Sequence, residues 1–430
     1  MGSWARSKEL LALAAGVAKH ELGRSVKAKL TSSAEKLASS ELATRIAQAE
    51  LLAGSLGRMK GAFMKAGQLL SIDASDFLPP EAQKILASLQ SQAEPVPFET
   101  LREVLVEDLG EAKLAAFERL DPTPAASASI GQVHRAFVHG LPVALKIQYP
   151  HVADSIDSDL ELVRKFAQGG IGMSGRKIDL GDTFEELKRV LHDEANYTRE
   201  RFYLERFGDL LADDPRFVVP QSFPELSSGR VLTMTWEEGV GLGEWVRSEP
   251  PLADRMWLAE ALLDLYCKEL FDWGTVQTDP NFGNFLVRAE AREIVLLDFG
   301  ATVVYDEAFR RDYVALLRVL AAGDGPGLIA AGIEQGLIDG RESEAALASF
   351  VEMLKVALEP FESEGPFDFG TAEYAARSRD VVRRFTEQLR YSSPPRKLLF
   401  LHRKLGGLFQ LLKRLDVSLD LRPYWARMQR

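Results

Sequence analysis

The chain has 430 residues, 46% of them hydrophobic and 27% charged, a composition that excludes general disorder and is long enough for two or more packed units. A formal net charge of −11 excludes a general nucleic-acid binder, because no broad surface could neutralise a phosphate backbone. The one cysteine, Cys267, excludes both a disulfide framework and a thiolate metal site; among Leu262, Leu263, Leu265, Tyr266 and Leu270 it reads as a buried bystander.

Residues 1–60 run against the overall charge, with ten Lys/Arg against five Glu. The most apolar N-terminal stretch, Leu10 to Ala18, meets Lys19 and His20 and so falls short of the about 20 apolar residues that a bilayer core demands. It also has no secretory cleavage pattern. A cytoplasmic location, with peripheral membrane association through basic or amphipathic segments, is the expectation. Residues 1–118 read as an N-terminal helical extension, punctuated by Pro79-Pro80 and by Glu94-Pro95-Val96-Pro97.

From residue 119 the texture changes. Gln132 to Val138 and Leu141 to Ile147 predict two strands with a turn at His139-Gly140. The Gly169–Gly175 stretch reads as a flexible loop. A polar helix is expected across Asp182 to Phe207, with further strands at Arg216–Pro220 and Arg230–Trp236. Beyond about residue 250 the chain reads as mainly helical, apart from two short strand-like runs. A small mixed unit (119–235) followed by a larger helical unit (236–430) predicts a two-lobed α+β layout, with a cleft between lobes as the natural place for a ligand.

The chemistry is densest in those two short runs. Asp279 precedes Asn284 by five residues in Gln277-Thr278-Asp279-Pro280-Asn281-Phe282-Gly283-Asn284, and Asp298 follows Val295-Leu296-Leu297. Two carboxylates and an amide beside strand-like runs suit magnesium and a nucleoside triphosphate. Pro280 and Gly283 predict a compact loop presenting Asp279 to an attacking hydroxyl or water, with Asn284 and Asp298 offering hard oxygens to Mg2+. Read singly, each would be an Asx-turn or cap residue.

Upstream, Lys146 ends the apolar strand Val143-Ala144-Leu145, where its ammonium could reach the phosphates of ATP. It needs an acidic partner, and the helix with Glu194, Glu200 and Glu205 offers candidates. On one regular helix Glu194 and Glu200 would lie about 240° apart, so they should have different partners.

Two further segments carry a family resemblance. Lys65-Ala66-Gly67-Gln68 resembles the KxGQ signature of the UbiB family of atypical kinases, and Ala126-Ser127-Ala128-Ser129-Ile130-Gly131-Gln132-Val133-His134 resembles its alanine-rich loop. The resemblance covers roughly residues 55 to 300 by motif. It implies a protein-kinase-like fold with a small β-sheet N-lobe, a mainly helical C-lobe and an N-terminal extension lying across the cleft. Alanine in place of glycine restricts φ and close approach to phosphates, implying a stiffer cover formed by Ala126, Ser127, Ala128 and Ser129.

By the same resemblance Lys65 pairs with Glu194, Gln68 contacts the site, and Glu200 holds Lys146. The family's acidic-x-Asp pair is Glu194-Ala195-Asn196 here, with an uncharged amide at its end. Met234, Thr235 and Glu237 occupy the expected hinge, whose backbone would bind adenine. The implied function is an ATP-binding, Mg2+-dependent atypical kinase or ATPase of quinone or lipid metabolism, with a lipid or quinone-like small molecule as a further ligand. The rival expectations are a kinase for a small-molecule or protein acceptor, and a non-catalytic nucleotide-sensing scaffold. The amphipathic stretch Lys397–Leu405 is read as a peripheral membrane contact or a packing helix.

Overall fold

Proline decides where the first helix of the computed structural model begins. α1 (Phe98–Leu114) starts directly after Pro97, whose ring fixes φ and whose missing N–H costs nothing at a helix start. The structure describes residues 96–128, 130–158, 160–161, 181–389 and 396–429. Lys65 and Gln68 of the KxGQ segment, Ser129 and the Gly169–Gly175 stretch lie outside them. The chain divides into two compact units. One holds the described residues up to Arg201 together with Ser222–Trp236, the other Phe202–Gln221 and Glu237–Arg430.

In the first unit, β1 (Phe117–Ser127), β2 (Gly131–Val138) and β3 (Leu141–Gln148) form an antiparallel meander. The expected hairpin turn is present: Val138 pairs with Leu141, and both turn residues have positive φ, 51° at His139 and 74° at Gly140. That is the backbone a two-residue hairpin needs to match strand twist. α1 closes one face, and its Leu101, Val104, Leu105 and Leu109 share a core with Ile130, Leu145, Ile147, Tyr149, Leu191 and Tyr197. Each such leucine contributes about 1.5–3 kcal/mol by burial. Although α1 lies within residues 1–118, it packs as part of the sheet's own core.

The polar stretch from Asp182 is two helices, α2 (Gly181–Glu194) and α3 (Tyr197–Leu210). Asn196 separates them, its Oδ1 accepting from the Arg199 N–H at 3.1 Å. An asparagine there satisfies an orphan donor of the new helix. Glu194 and Glu200 therefore stand on different helices, which corrects the reading of both as points on one. Next come β4 (Phe217–Val218) and β5 (Val231–Thr235); β5 joins the first sheet, in the order β1-β2-β3-β5.

The second unit is built on β6 (Val240–Gly241), α4 (Leu242–Arg247) and α5 (Leu252–Cys267), the last continuing into a π-helical turn, Lys268–Asp272. β7 (Thr275–Gln277) follows, then β8 (Phe285–Arg288), β9 (Glu293–Leu296) and β10 (Thr302–Val304). β10 pairs with β7, and a second sheet has the order β4-β9-β8-β6. Phe217 and Val218 pair in parallel with Ile294 and Val295, so residues 202–221 belong here and not with the first unit.

The remainder is helical apart from a short β11–β12 pair: α6 (Glu307–Ala321), α7 (Gly325–Glu334), α8 (Glu344–Glu362), β11 (Phe367–Asp368), α9 (Ala372–Gln388), α10 (Arg396–Leu415), β12 (Ser418–Leu419) and α11 (Arg422–Met428). Cys267 is fully buried, as expected, and burial pushes its thiol up to about 12, which leaves it inert at neutral pH. Among the described residues no helix is long and apolar enough to cross a membrane.

Candidate functional site

Lys146 is delivered by β3, whose last six residues are all buried. Its Nζ donates to both carboxylate oxygens of Glu200, at 2.6 and 2.8 Å, with Lys146 7% and Glu200 1% exposed. The Tyr197 ring lies 5.0 Å from the ammonium. Asn196 sets this up: it starts α3, and the Glu200 N–H donates to the Asn196 carbonyl at 3.1 Å, placing Glu200 in the first turn. Glu194, at the end of α2, is half-buried; Lys65, its expected partner, lies outside the described residues.

The alanine-rich segment is less a loop than a strand end and a turn. Ala126 and Ser127 close β1 and are exposed, and the Ala128 N–H donates to the Gly131 carbonyl at 2.8 Å. Gly131 has no alternative residue: a Cβ there would come within 2.4 Å of the Ile147 carbonyl oxygen and 2.6 Å of the Tyr197 hydroxyl. Met234 and Thr235 end β5 opposite Ala144 and Val143, and the Trp236 N–H donates to the Pro142 carbonyl. The division between units falls after Trp236. Glu237 begins the second unit with its carboxylate on Arg288 at 2.6 Å.

In the second unit the structure brings Asp279 and Asn284 together. Buried Gln277 accepts the Asp279 N–H through its side-chain oxygen at 3.0 Å. A 3-10 turn, Phe282–Asn284, is capped by Asn281, whose side chain accepts from the Gly283 N–H. The Asn284 amide N–H group donates to the Asp279 carboxylate at 3.3 Å and to its carbonyl at 3.4 Å, which directs the amide oxygen elsewhere. Asp298 follows β9 and accepts the Gly300 N–H at 3.0 Å; the neighbouring Leu297 N–H donates to the Asn284 carbonyl at 2.9 Å. Asn284 and Asp298 line a cavity of about 10 Å3 with Glu269, Gln277 and Lys404, the room of a single water. The oxygens of Asn284 and Asp298 are hard donors of the kind Mg2+ takes alongside water and phosphate.

α10 supplies what sequence reasoning missed. Arg403 donates to Asp279 Oδ1 at 2.9 Å, and Lys404 pairs with Glu269 at 2.8 Å. Glu269 is fully buried, which raises its carboxyl pKa, and it accepts the Gln277 N–H at 3.3 Å. Two successive basic residues thus brace the Asp279 segment, one directly and one through Glu269 and Gln277. A signal existed: Arg403 and Gly407 are four apart and share a helix face. The apolar side of this helix, with Phe400, Leu401, Leu408, Leu411 and Leu412, is buried within its own unit. Within Lys397–Leu405, Phe400 and Leu401 are buried, as the packing-helix reading expects.

Gly407 is where α10 touches the loop, since a Cβ there would lie 2.0 Å from Pro280 Cβ. Gly407→Ala is expected to displace the Asp279 loop and cost about 1–3 kcal/mol by overpacking. Gly406, with nothing within 4 Å of its added Cβ, is the control: Gly406→Ala should stabilise by about 0.5–1 kcal/mol. Urea unfolding of the two variants checks the contrast, and equal effects would refute it.

An ABC1 atypical kinase-like domain matches residues 88–331. The mitochondrial atypical kinase COQ8 of Schizosaccharomyces pombe is 32% identical over 88% of this chain and 62% of its own. The mitochondrial atypical kinase COQ8B of Danio rerio is 34% identical over 87% and 60%, and that of Rattus norvegicus 33% over 89% and 74%. The chain therefore spans about three fifths of the length of the first two. Among solved structures, the complex of Rv3197 with erythromycin from Mycobacterium tuberculosis is similar, with a TM-score of 0.60 and 27% identity over 86% of this chain and 92% of that one. With more than half its length matched and relatives about a third identical along most of it, this chain belongs to the ABC1 atypical kinase-like family, the UbiB family that its Lys65 and Ala126 segments resemble.

Proposed function

We propose that this protein is a magnesium-dependent, ATP-binding atypical kinase or ATPase acting in quinone or lipid metabolism. The observation that carries it is the buried Lys146–Glu200 pair, held at 2.6 Å. Burying two ions costs several kcal/mol each before their attraction is counted, and an apolar pair would fill the same space. A lysine fixed by a carboxylate at the end of a strand suits the orientation of phosphate oxygens.

In the second unit Asp279 orients the attacking hydroxyl or water and accepts its proton, with Arg403 and the Gln277 amide holding the carboxylate and its backbone. Asn284 and Asp298 hold magnesium, which when bound neutralises charge on the phosphates. Backbone groups of Met234 and Thr235, with that of Glu237, take adenine; the Glu237 side chain is occupied by Arg288. Ala126, Ser127, Ala128 and Ser129 cover the phosphates, while Lys65, Gln68 and Glu194 bias the site away from protein substrates. The naming of the relatives as COQ8-type kinases supports the quinone and lipid assignment.

The test is hydrolysis of labelled ATP with and without anionic liposomes and quinone-like phenols. Magnesium-dependent turnover, stimulated by those additions and lost in Asp298→Asn, is the expected result. Label moving to a protein or small-molecule acceptor would replace the ATPase form of the reading by a transferase, and nucleotide binding indifferent to Asp298→Asn would remove the metal assignment.

A further inference from the structure

Inside the sheet that carries Lys146 runs a polar chain that the phosphoryl chemistry above leaves unused. His134 of β2 has no exposed surface, and the Phe98 ring of α1 lies 5.2 Å from it. Its Nδ1 is 2.9 Å from the Asp121 backbone carbonyl of β1, and its Nε2 is 3.2 Å from the Gln132 side-chain amide. Gln132 is equally buried.

A backbone carbonyl only accepts, so His134 Nδ1 carries a proton. Were the amide atom facing Nε2 the oxygen, Nε2 would carry one too and the ring would be a cation sealed from water. The charged group facing His134 is Asp121, whose carboxylate accepts the Thr123 N–H at 2.9 Å; its charge favours a protonated ring, and burial outweighs it. Burial holds the His134 pKa below its usual range, so the ring is neutral at pH 7. A neutral ring with Nδ1–H presents a lone pair at Nε2, and only the NH2 of Gln132 can serve it; oxygen and nitrogen of such an amide are interchangeable by a half-turn.

That half-turn has a second consequence. With the oxygen on His134, neither Gln132 Nε2 nor the buried Tyr149 hydroxyl makes a hydrogen bond of good geometry among the described residues. Gln132 and Ser127 are the side chains within hydrogen-bonding reach of the Tyr149 hydroxyl, although neither contact is well formed. Turning the amide sets its oxygen toward the Tyr149 hydroxyl, which can donate to an oxygen as readily as it accepts from an NH2, so the half-turn that serves His134 Nε2 costs Tyr149 nothing.

We propose that Gln132 is a positioning residue for the nucleotide cover, its NH2 on His134 Nε2 and its oxygen on the Tyr149 hydroxyl, completing a chain Tyr149→Gln132 and Gln132→His134→Asp121. The chain straps the alanine-rich turn at both sides. Ser127 pairs with Gln132 across β1 and β2, and the Tyr149 N–H donates to the Ile130 carbonyl at 2.8 Å. The positioning role rests on the nucleotide reading; the amide orientation does not.

The experiment uses the full chain labelled with 15N-histidine, the His134 signals being identified by their loss in His134→Asn. At pH 7.5 the wild type is expected to show His134 as the Nδ1–H tautomer with an unprotonated Nε2. In Gln132→Glu a carboxylate faces Nε2 and only accepts, so His134 should become an imidazolium at the same pH. An Nε2–H tautomer or an imidazolium in the wild type overturns the amide orientation. Tyr149→Phe, which removes one donor and little volume, should weaken Mg-ATP binding about three- to tenfold with kcat unchanged. Unchanged affinity in Tyr149→Phe overturns the positioning role. A wild type that binds no Mg-ATP overturns the nucleotide reading and that role together, while the tautomer still decides the orientation.

Discussion

Glu200→Ala is expected to lower the unfolding free energy by about 3–5 kcal/mol, the usual cost of removing one partner of a buried pair. Lys146 is 7% exposed beneath the Tyr197 ring, so its ammonium cannot turn to water for what the carboxylate supplied. The doubly apolar variant Lys146→Met with Glu200→Leu should recover most of that loss, because well-packed apolar replacements of buried pairs are often neutral or stabilising. Urea midpoints of the two single variants and the double variant measure the coupling. The double variant should still fail to bind Mg-ATP. That separates stability from function: a fold-stabilising pair predicts that binding returns with stability, a phosphate-orienting one that it does not. A single-variant loss under about 1 kcal/mol would show the pair to be solvated and the argument from burial wrong.

Much of this was legible because the residues concerned announce themselves locally. The β2–β3 hairpin follows from alternating apolar residues around His139-Gly140, and Lys146 follows from its place on β3. The partner of Lys146 is not legible locally: the residues alone leave Glu194, Glu200 and Glu205 as candidates, and it is the family resemblance that pairs Lys146 with Glu200, the ion pair present here. The break at Asn196 is hidden in the sequence because that residue stands where the family has an acidic side chain, while its cap chemistry acts on the neighbouring backbone. β1 was missed for a different reason. Its sequence, Phe117 to Ser127, contains two prolines and reads as loop, but β1 is an edge strand with register shifts near Leu120, Pro124 and Ala126, where proline is tolerated. The targets of Arg403 and Lys404 lie beyond sequence pattern, even though the spacing of Arg403 and Gly407 marks a shared helix face. Arg403 is 124 residues from Asp279, and nothing in local pattern says that an amphipathic helix will spend its basic residues inward.

Asp279→Asn is expected to lower the turnover of Mg-ATP by about 10²- to 10⁴-fold, the range for a positioned general base, while Mg-ATP affinity changes little. The substitution keeps the shape of the side chain. An amide oxygen can still accept from Arg403 at the position where Oδ1 accepts at 2.9 Å, so the loop has reason to stay where α10 holds it. What the amide cannot do is take a proton from the attacking hydroxyl or water. Arg403→Ala supplies the complementary reading. Its side chain is 9% exposed and that of Asp279 13%, so removing the guanidinium leaves the carboxylate in place but no longer oriented. Turnover should fall in this variant as well, and adding Arg403→Ala to Asp279→Asn should cost much less than the product of the two, because both act on one carboxylate. Single-turnover measurements with labelled ATP separate chemistry from binding. Full independence of the two effects would mean that Arg403 acts elsewhere, and turnover surviving in Asp279→Asn would remove the general-base role and favour a nucleotide sensor whose output is a conformation.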